Sequence, residues 1–144
     1  MPILARHRWF YPIDWRELSA SIRFRRAKGR CEGCGRPHGR VVVHLGDGRW
    51  WDEDVQRWRC GQGKRIRRML PPHSTILPTR RTRVFLSTCH LDHDPQNNAA
   101  DNLAALCQRC HLMHDKAEHL RRRQITYLGR RALGDLFEGP YPLV

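Results

Sequence analysis

Two Cys-x-x-Cys pairs, Cys31 with Cys34 and Cys107 with Cys110, constrain this chain more than any other feature of its sequence. Each pair can offer two thiolates to one side of a tetrahedral ion, and together they complete a four-cysteine site. The first pair lies in the turn Cys31-Glu-Gly-Cys-Gly, where Gly33 and Gly35 permit the tight bend of a knuckle. The second stands at the start of a predicted helix, whose amide dipoles favour anionic sulfur. Four cysteines leave no open coordination position, so the ion they imply is a structural zinc. Two separate redox motifs, or a chance pairing of core cysteines, are the competing readings. Cys60 and Cys89 have no partner at ligand spacing and read as packed or partly exposed thiols.

Composition narrows the partner. The chain carries 27 Lys+Arg against 14 Asp+Glu, a formal net charge of +13. Such an excess calls for a polyanion, and nucleic acid is the usual one. Arginine greatly exceeds lysine, which suits forked contacts to phosphate. At 144 residues there is room for one modest domain and no expectation of a second enzyme domain. Residues 1–10 carry Arg6, His7 and Arg8 and lack an apolar stretch of signal-peptide length. No segment is long enough to span a membrane. A cytoplasmic, non-secreted protein is expected, and in that reducing compartment six cysteines are better explained by metal than by disulfides.

Along the chain, Trp15, Leu18 and Ile22 recur at helical spacing, which predicts an amphipathic bracing helix over 14–28 with Asp14 and Glu17 as a capping box. The runs 41–45 and 49–51, joined by Gly46-Asp47-Gly48, predict a hairpin. Residues 52–83 read as a basic insertion of strands and loops, punctuated by glycine and proline. Its arginines, with Trp50, Trp51 and Trp58, could form a DNA-contact surface, although large aromatics at strand spacing more often fill a core. A short buried strand is predicted at 84–88, a loop at 94–101, and a helix from near Cys107 to about Arg123 with Cys110, Met113, Ala117 and Leu120 on one face. The tail beyond Gly129 offers only Leu133, Leu136 and Phe137 as an apolar cluster.

The densest chemistry lies in Cys89-His-Leu-Asp-His-Asp-Pro, followed by Asp101-Asn-Leu-Ala-Ala-Leu-Cys-Gln-Arg-Cys-His-Leu-Met-His-Asp. This stretch resembles the HNH endonucleases: an Asp-His pair after a strand, an Asn-Leu after a loop, then Cys-x-x-Cys-His opening a helix. It is most similar to short phage and bacterial HNH proteins, and its general pattern is shared with colicin DNases and the HNH domain of the CRISPR nuclease. The resemblance covers Cys31 to Cys34 and residues 84–115. It implies an α+β fold: a small zinc-stabilised ββα-metal domain, treble-clef-like, with an N-terminal helix and an inserted β-rich segment. The whole chain, 1–144, then reads as a single nuclease domain, divided into a helix at 14–28, knuckle and hairpin at 31–51, insertion at 52–83, ββα-metal core at 84–123 and tail at 124–144. A bacterial or phage-infected cell is its implied setting.

Carried over residue by residue, His93, Asn102 and His111 match the three letters of the family name. His93 suits a general base, because a neutral imidazole with a pKa of ~6.5 accepts a proton near neutrality. Asp92 and His111 would ligate a catalytic divalent ion, and Asn102 would tie the loop that carries His93. Asp115, four residues beyond His111, could complete the metal shell where colicin DNases place a histidine. His90 and His114 lie near the site but off its core pattern. Carboxylate and imidazole ligands suit Mg2+ or Mn2+, with Zn2+, Ni2+ or Co2+ as alternatives.

The activity implied is metal-dependent hydrolysis of DNA phosphodiesters, most simply nicking, with non-specific or weakly specific contacts to the backbone of double-stranded DNA. The alternative is a non-catalytic, zinc-dependent DNA-binding or regulatory module. No membrane partner is expected, and the protein could act as a monomer or a dimer. A protein-interaction scaffold would leave the charge of +13 without a use.

Overall fold

The computed structural model describes residues 5–74 and 76–131. They form a small α+β fold with antiparallel sheets, in two compact units, one ending at His111 and the other beginning at Leu112. Leu133, Leu136 and Phe137 of the tail lie outside the described residues. Among the described residues no helix is long and apolar enough to cross a membrane.

A 3-10 helix, Ala5–Phe10, leads into helix α1, Trp15–Ala20. The single regular helix expected over 14–28 is not what forms. After α1 the backbone widens into a π-helical segment, Ser21–Arg26, in which the Ala27 N–H reaches the Ile22 carbonyl at 3.0 Å. The wider turn sends Ile22 into the core. Arg26 bonds Glu32 and the carbonyls of Ala100 and Leu103. The capping box is absent too: Asp14 sits at φ −94° and ψ 20° and its side chain makes no cap hydrogen bond. Positive φ at Lys28 and Gly29 then ends the helical run, as a left-handed C-terminus does.

The first sheet has the order β3-β2-β1-β4, all antiparallel, built from β1 (Val41–His44), β2 (Trp50–Asp52), β3 (Arg57–Arg59) and β4 (Arg80–Arg83). Trp50 and Trp58 are fully buried and Trp51 nearly so, which makes the tryptophans packing groups and not a contact surface. Trp51 and Trp58 meet edge to face at 5.8 Å, and Trp58 Nε1 donates to the Leu70 carbonyl at 2.6 Å. Beneath them Asp52, 2 % exposed, holds Arg59. A buried carboxylate survives only with such a partner.

The second sheet is the hairpin of β5 (Leu86–His90) and β6 (Leu103–Cys107), with Leu86 opposite Cys107 and His90 opposite Leu103. The predicted strand at 84–88 thus lies two residues further on. Val84 is buried at the crossing between the sheets, where its N–H bonds the Arg40 carbonyl and its own carbonyl takes the Gly39 N–H. All five β6 residues are buried, so both faces of this strand are covered. Ser19 of α1 reaches β5, its hydroxyl 3.0 Å from Thr88 Oγ1.

Helix α2, Gln108–Arg131, starts one residue after Cys107 and runs past the expected end at 123. Its portion in the second unit is supported by Glu118, paired with Arg121 and Arg122 one turn on, which pushes the Glu118 carboxyl down to about 2. Met113 and Leu120, expected along an apolar face, are exposed.

Candidate metal centre and the adjoining loop

The knuckle is built by its own backbone. The Gly35 N–H reaches the Cys31 carbonyl at 2.7 Å and the Cys31 N–H reaches the Arg36 carbonyl at 2.9 Å, closing the turn around Cys34. Gly33 has no side chain for a reason of space: a Cβ there would lie 3.1 Å from Cys110 Sγ. Gly63, with φ +80°, presses its backbone against Cys34, where a Cβ would come within 2.8 Å of the Cys34 carbonyl oxygen. The second pair comes from the junction of β6 and α2. Cys107 is the last strand residue and Cys110 lies in the first helical turn. The knuckle is fastened to β6 by the Glu32 N–H on the Ala105 carbonyl and by the Ala105 N–H on Glu32 Oε2, at 2.9 and 2.6 Å. Arg26 clamps Glu32 in turn, at 2.8 Å.

These fastenings bring Cys31, Cys34, Cys107 and Cys110 together, with all four sulfurs within 4.8 Å of one another. Cys34 Sγ and Cys107 Sγ are 3.6 Å apart, and the Cys107 N–H donates to Cys31 Sγ at 3.2 Å. Contacts from Cys110, Cys31 and Cys34 push the Cys107 thiol down, and contacts from Cys107, Cys110 and Cys31 push Cys34 up. A cation in their midst would bind the thiolates and displace the thiol protons. The cluster is positioned to hold a metal ion and is compatible with a structural zinc. Cys60 is half-buried and Cys89 is buried in the core, and neither belongs to the cluster.

The loop 91–102 joins β5 to β6 at the closed end of the hairpin. The Leu91 N–H bonds the Asn102 carbonyl at 2.8 Å, continuing the ladder past His90. Asn102 Oδ1 accepts the Asp92 N–H at 3.2 Å, while its Nδ2 donates to Asp92 Oδ1 and to the Asn97 carbonyl, both at 2.8 Å. The Asp94 N–H and Asn97 Nδ2 also donate to the Asp92 carboxylate. These donors, Asn102 first, hold the exposed Asp92 carboxyl at about 2, so it is anionic at neutral pH. His93, half-buried, follows with φ +62°, a left-handed backbone that bulky side chains seldom adopt.

His111 stands next to Cys110, its Nδ1 2.8 Å from Ser87 Oγ on β5. His90 is a packed ring. It stacks on Trp15 at 5.5 Å, meets Tyr11 edge-on at 5.6 Å and bonds Asn98 Oδ1 through Nε2 at 3.0 Å. Asp115 and His114 lie in the second unit, where His114 Nδ1 is 2.8 Å from Asp115 Oδ1 and His119 Nε2 is 3.8 Å from Asp115 Oδ2.

Sequence reasoning misses Arg26, Glu32, Ser87 and Asn97, which position the others. Glu32 sits inside the Cys-x-x-Cys turn and Asn97 within the loop, so their location was a signal; Ser87 and Arg26 carry none. Comparison with protein families, with curated proteins and with solved structures finds no match for this chain.

Proposed function

We propose that this chain is a metal-dependent DNA endonuclease of the HNH type, which nicks DNA on a ββα-metal unit made of β5, β6 and the start of α2. The observation that carries the reading is the double grip of Asn102 on Asp92 in the loop that closes the hairpin, one residue before His93. It is the arrangement expected where one loop must present a metal-binding carboxylate and a base in fixed relation.

The four cysteines would hold a structural zinc. Zinc–sulfur bonds of about 2.3 Å in a tetrahedron set the sulfurs about 3.8 Å apart, close to the 3.6 Å between Cys34 and Cys107. Their role would be to fix Cys110 and so His111 beside it. Asp92 and His111 would hold the second ion, Mg2+ or Mn2+, which supplies charge neutralisation at the phosphate and leaving oxygen. His93 accepts a proton from the attacking water as the new oxygen–phosphorus bond forms and the bond to the leaving oxygen breaks. The strained backbone at His93 supports a functional reading, since such strain persists where a site requires it.

One observation favours a second reading, a zinc-stabilised DNA-binding module without catalysis. The Asp92 carboxylate already accepts three hydrogen bonds, which would also suit a plain loop cap. Supercoiled plasmid incubated with Mg2+ or Mn2+ separates the two. A nuclease converts it to the relaxed form, stops on adding chelator and loses the activity in His93→Ala. Plasmid that stays supercoiled with each of Mg2+, Mn2+, Zn2+, Ni2+ and Co2+ would leave the binding module standing.

A further inference from the structure

Residues 55–91 contain eight arginines and one lysine and not a single Asp or Glu. Elsewhere in the first unit several acids are spent on local arginines: Glu32 on Arg26, Asp47 on Arg49, Asp54 on Arg30 and Arg40. Of the nine cations in 55–91, Arg59 alone has a carboxylate partner among the described residues, the buried Asp52.

Three of the remaining eight share one short edge strand. β4 is Arg80-Arg-Thr-Arg, and all four of its residues are exposed. Successive side chains of a strand point to opposite faces, so neither face of β4 adds a side chain to the core. The sheet holds it through its ladder to β1. Across that ladder Arg83 faces Val41, Arg81 faces Val43 and Arg80 faces His44, none of them an acid. Three like charges in four residues repel one another, and the fold gains no packing in return. Edge protection needs a charge, not three arginine forks left unused.

The spacing suits a phosphate backbone. Arg81 and Arg83 project from one face about 6.7 Å apart along the strand. Phosphates on one DNA strand lie about 3.4 Å apart along the helix axis, so phosphates two steps apart are separated by about 6.8 Å of it. The strand is also tied to the metal centre, because Gln108, next to Cys107, bonds the Arg83 carbonyl and the Phe85 N–H at 2.9 and 3.1 Å.

We infer that β4 is a docking strand for the DNA backbone, with Arg80, Arg81 and Arg83 contacting phosphates; the inference rests on the reading of the chain as acting on DNA. Its test is the salt dependence of binding to a short labelled DNA duplex, measured by fluorescence anisotropy without added divalent ion, so that cleavage plays no part. The triple variant Arg80→Gln, Arg81→Gln, Arg83→Gln should lower the slope of log affinity against log salt by about 3, one for each phosphate contact. The corresponding Arg→Lys triple should keep most of it. Arg16→Gln, Arg25→Gln and Lys28→Gln together remove the same charge and should leave the slope within about 1 of the parent. An unchanged slope in the β4 triple, with the parent binding DNA, overturns the docking strand and leaves the DNA reading intact. So does an equal loss in the control triple, which would mean that bulk charge decides. A β4 triple that binds DNA normally but no longer binds polyglutamate makes the strand a site for acidic protein and overturns the inference. A parent protein with no salt-dependent DNA binding overturns the DNA reading as well. Metal content and far-ultraviolet circular dichroism equal to the parent show that the variants are folded.

Discussion

Asn102 grips Asp92 twice, its Oδ1 taking the Asp92 N–H at 3.2 Å and its Nδ2 giving a hydrogen bond to the Asp92 carboxylate at 2.8 Å. One amide thereby fixes both the backbone and the charge of the residue before His93. Asn102 is the first cause of the low Asp92 pKa of about 2, ahead of the Asp94 N–H and the Asn97 side chain. A folded-state value below the unfolded one of ~3.9 means that the stabilisation is fully present above about pH 4 and is lost as pH falls through about 2. Asn102→Ala should move the Asp92 midpoint up toward ~4, read by carbon NMR of the carboxyl group. A midpoint that stays near 2 would mean that the grip does not hold the charge.

Gly33 tests the metal cluster without removing a ligand. A methyl group there would sit 3.1 Å from Cys110 Sγ and 3.3 Å from Cys110 Cβ, close enough to force the second pair outward. Gly33→Ala should retain all four cysteines yet hold zinc more weakly and lose about 1–3 kcal/mol, as overpacking does. Elemental analysis of the parent should find about one zinc per chain, and chelator competition should strip the variant first. Equal zinc retention in the two proteins would place the cluster's tolerance above what this spacing allows.

Ser87 tests the orientation of His111. Its hydroxyl is 2.8 Å from His111 Nδ1 and 3.5 Å from the Leu106 carbonyl. With the hydroxyl hydrogen turned to Leu106, Ser87 accepts from Nδ1–H, which makes Nε2 the unprotonated nitrogen, the form that ligates metals. Ser87→Ala should raise the metal concentration for half-maximal nicking by about 10-fold, and Ser87→Thr should restore it. The zinc content of the cluster should not move. If the metal response of Ser87→Ala matches the parent, something other than Ser87 orients the ring.

What the sequence reveals here follows from how local each signal is. The two cysteine pairs are legible because ligand spacing is chemistry written within four residues, and the same holds for the hairpin around Gly46-Asp47-Gly48, which forms as β1 and β2. Strand β6 is not legible as such. Leu103-Ala-Ala-Leu-Cys is covered on both faces, so it shows no period of two to set it apart from the start of a helix. The π-helical turn at Ser21–Arg26 escapes notice because Trp15, Leu18 and Ile22 fit ordinary helical spacing, while the bonds of Arg26 to Ala100 and Leu103 that fix it come from far along the chain. Ser87 meets His111 only because β5 pairs with β6, a tertiary fact that no spacing near Ser87 records.

His93 offers a pair of substitutions that separates side chain from backbone. Its φ of +62° lies in the left-handed region, where a residue with a Cβ is strained by roughly 1–2 kcal/mol and glycine is not. His93→Ala and His93→Gly both delete the imidazole, so both should abolish metal-dependent nicking to the same extent if that ring takes the proton from water. They should differ in stability, because alanine keeps the strain and glycine releases it. Glycine gives back part of the gain through its larger unfolded-state entropy, which leaves His93→Gly more stable than His93→Ala by about 1 kcal/mol in denaturant unfolding. Equal stability would mean that the loop relaxes out of the left-handed conformation once the ring is gone. Nicking at the parental rate by both variants, in preparations free of contaminating nuclease, would remove His93 from the chemistry and leave Asp92 and Asn102 as the capped end of a DNA-binding loop.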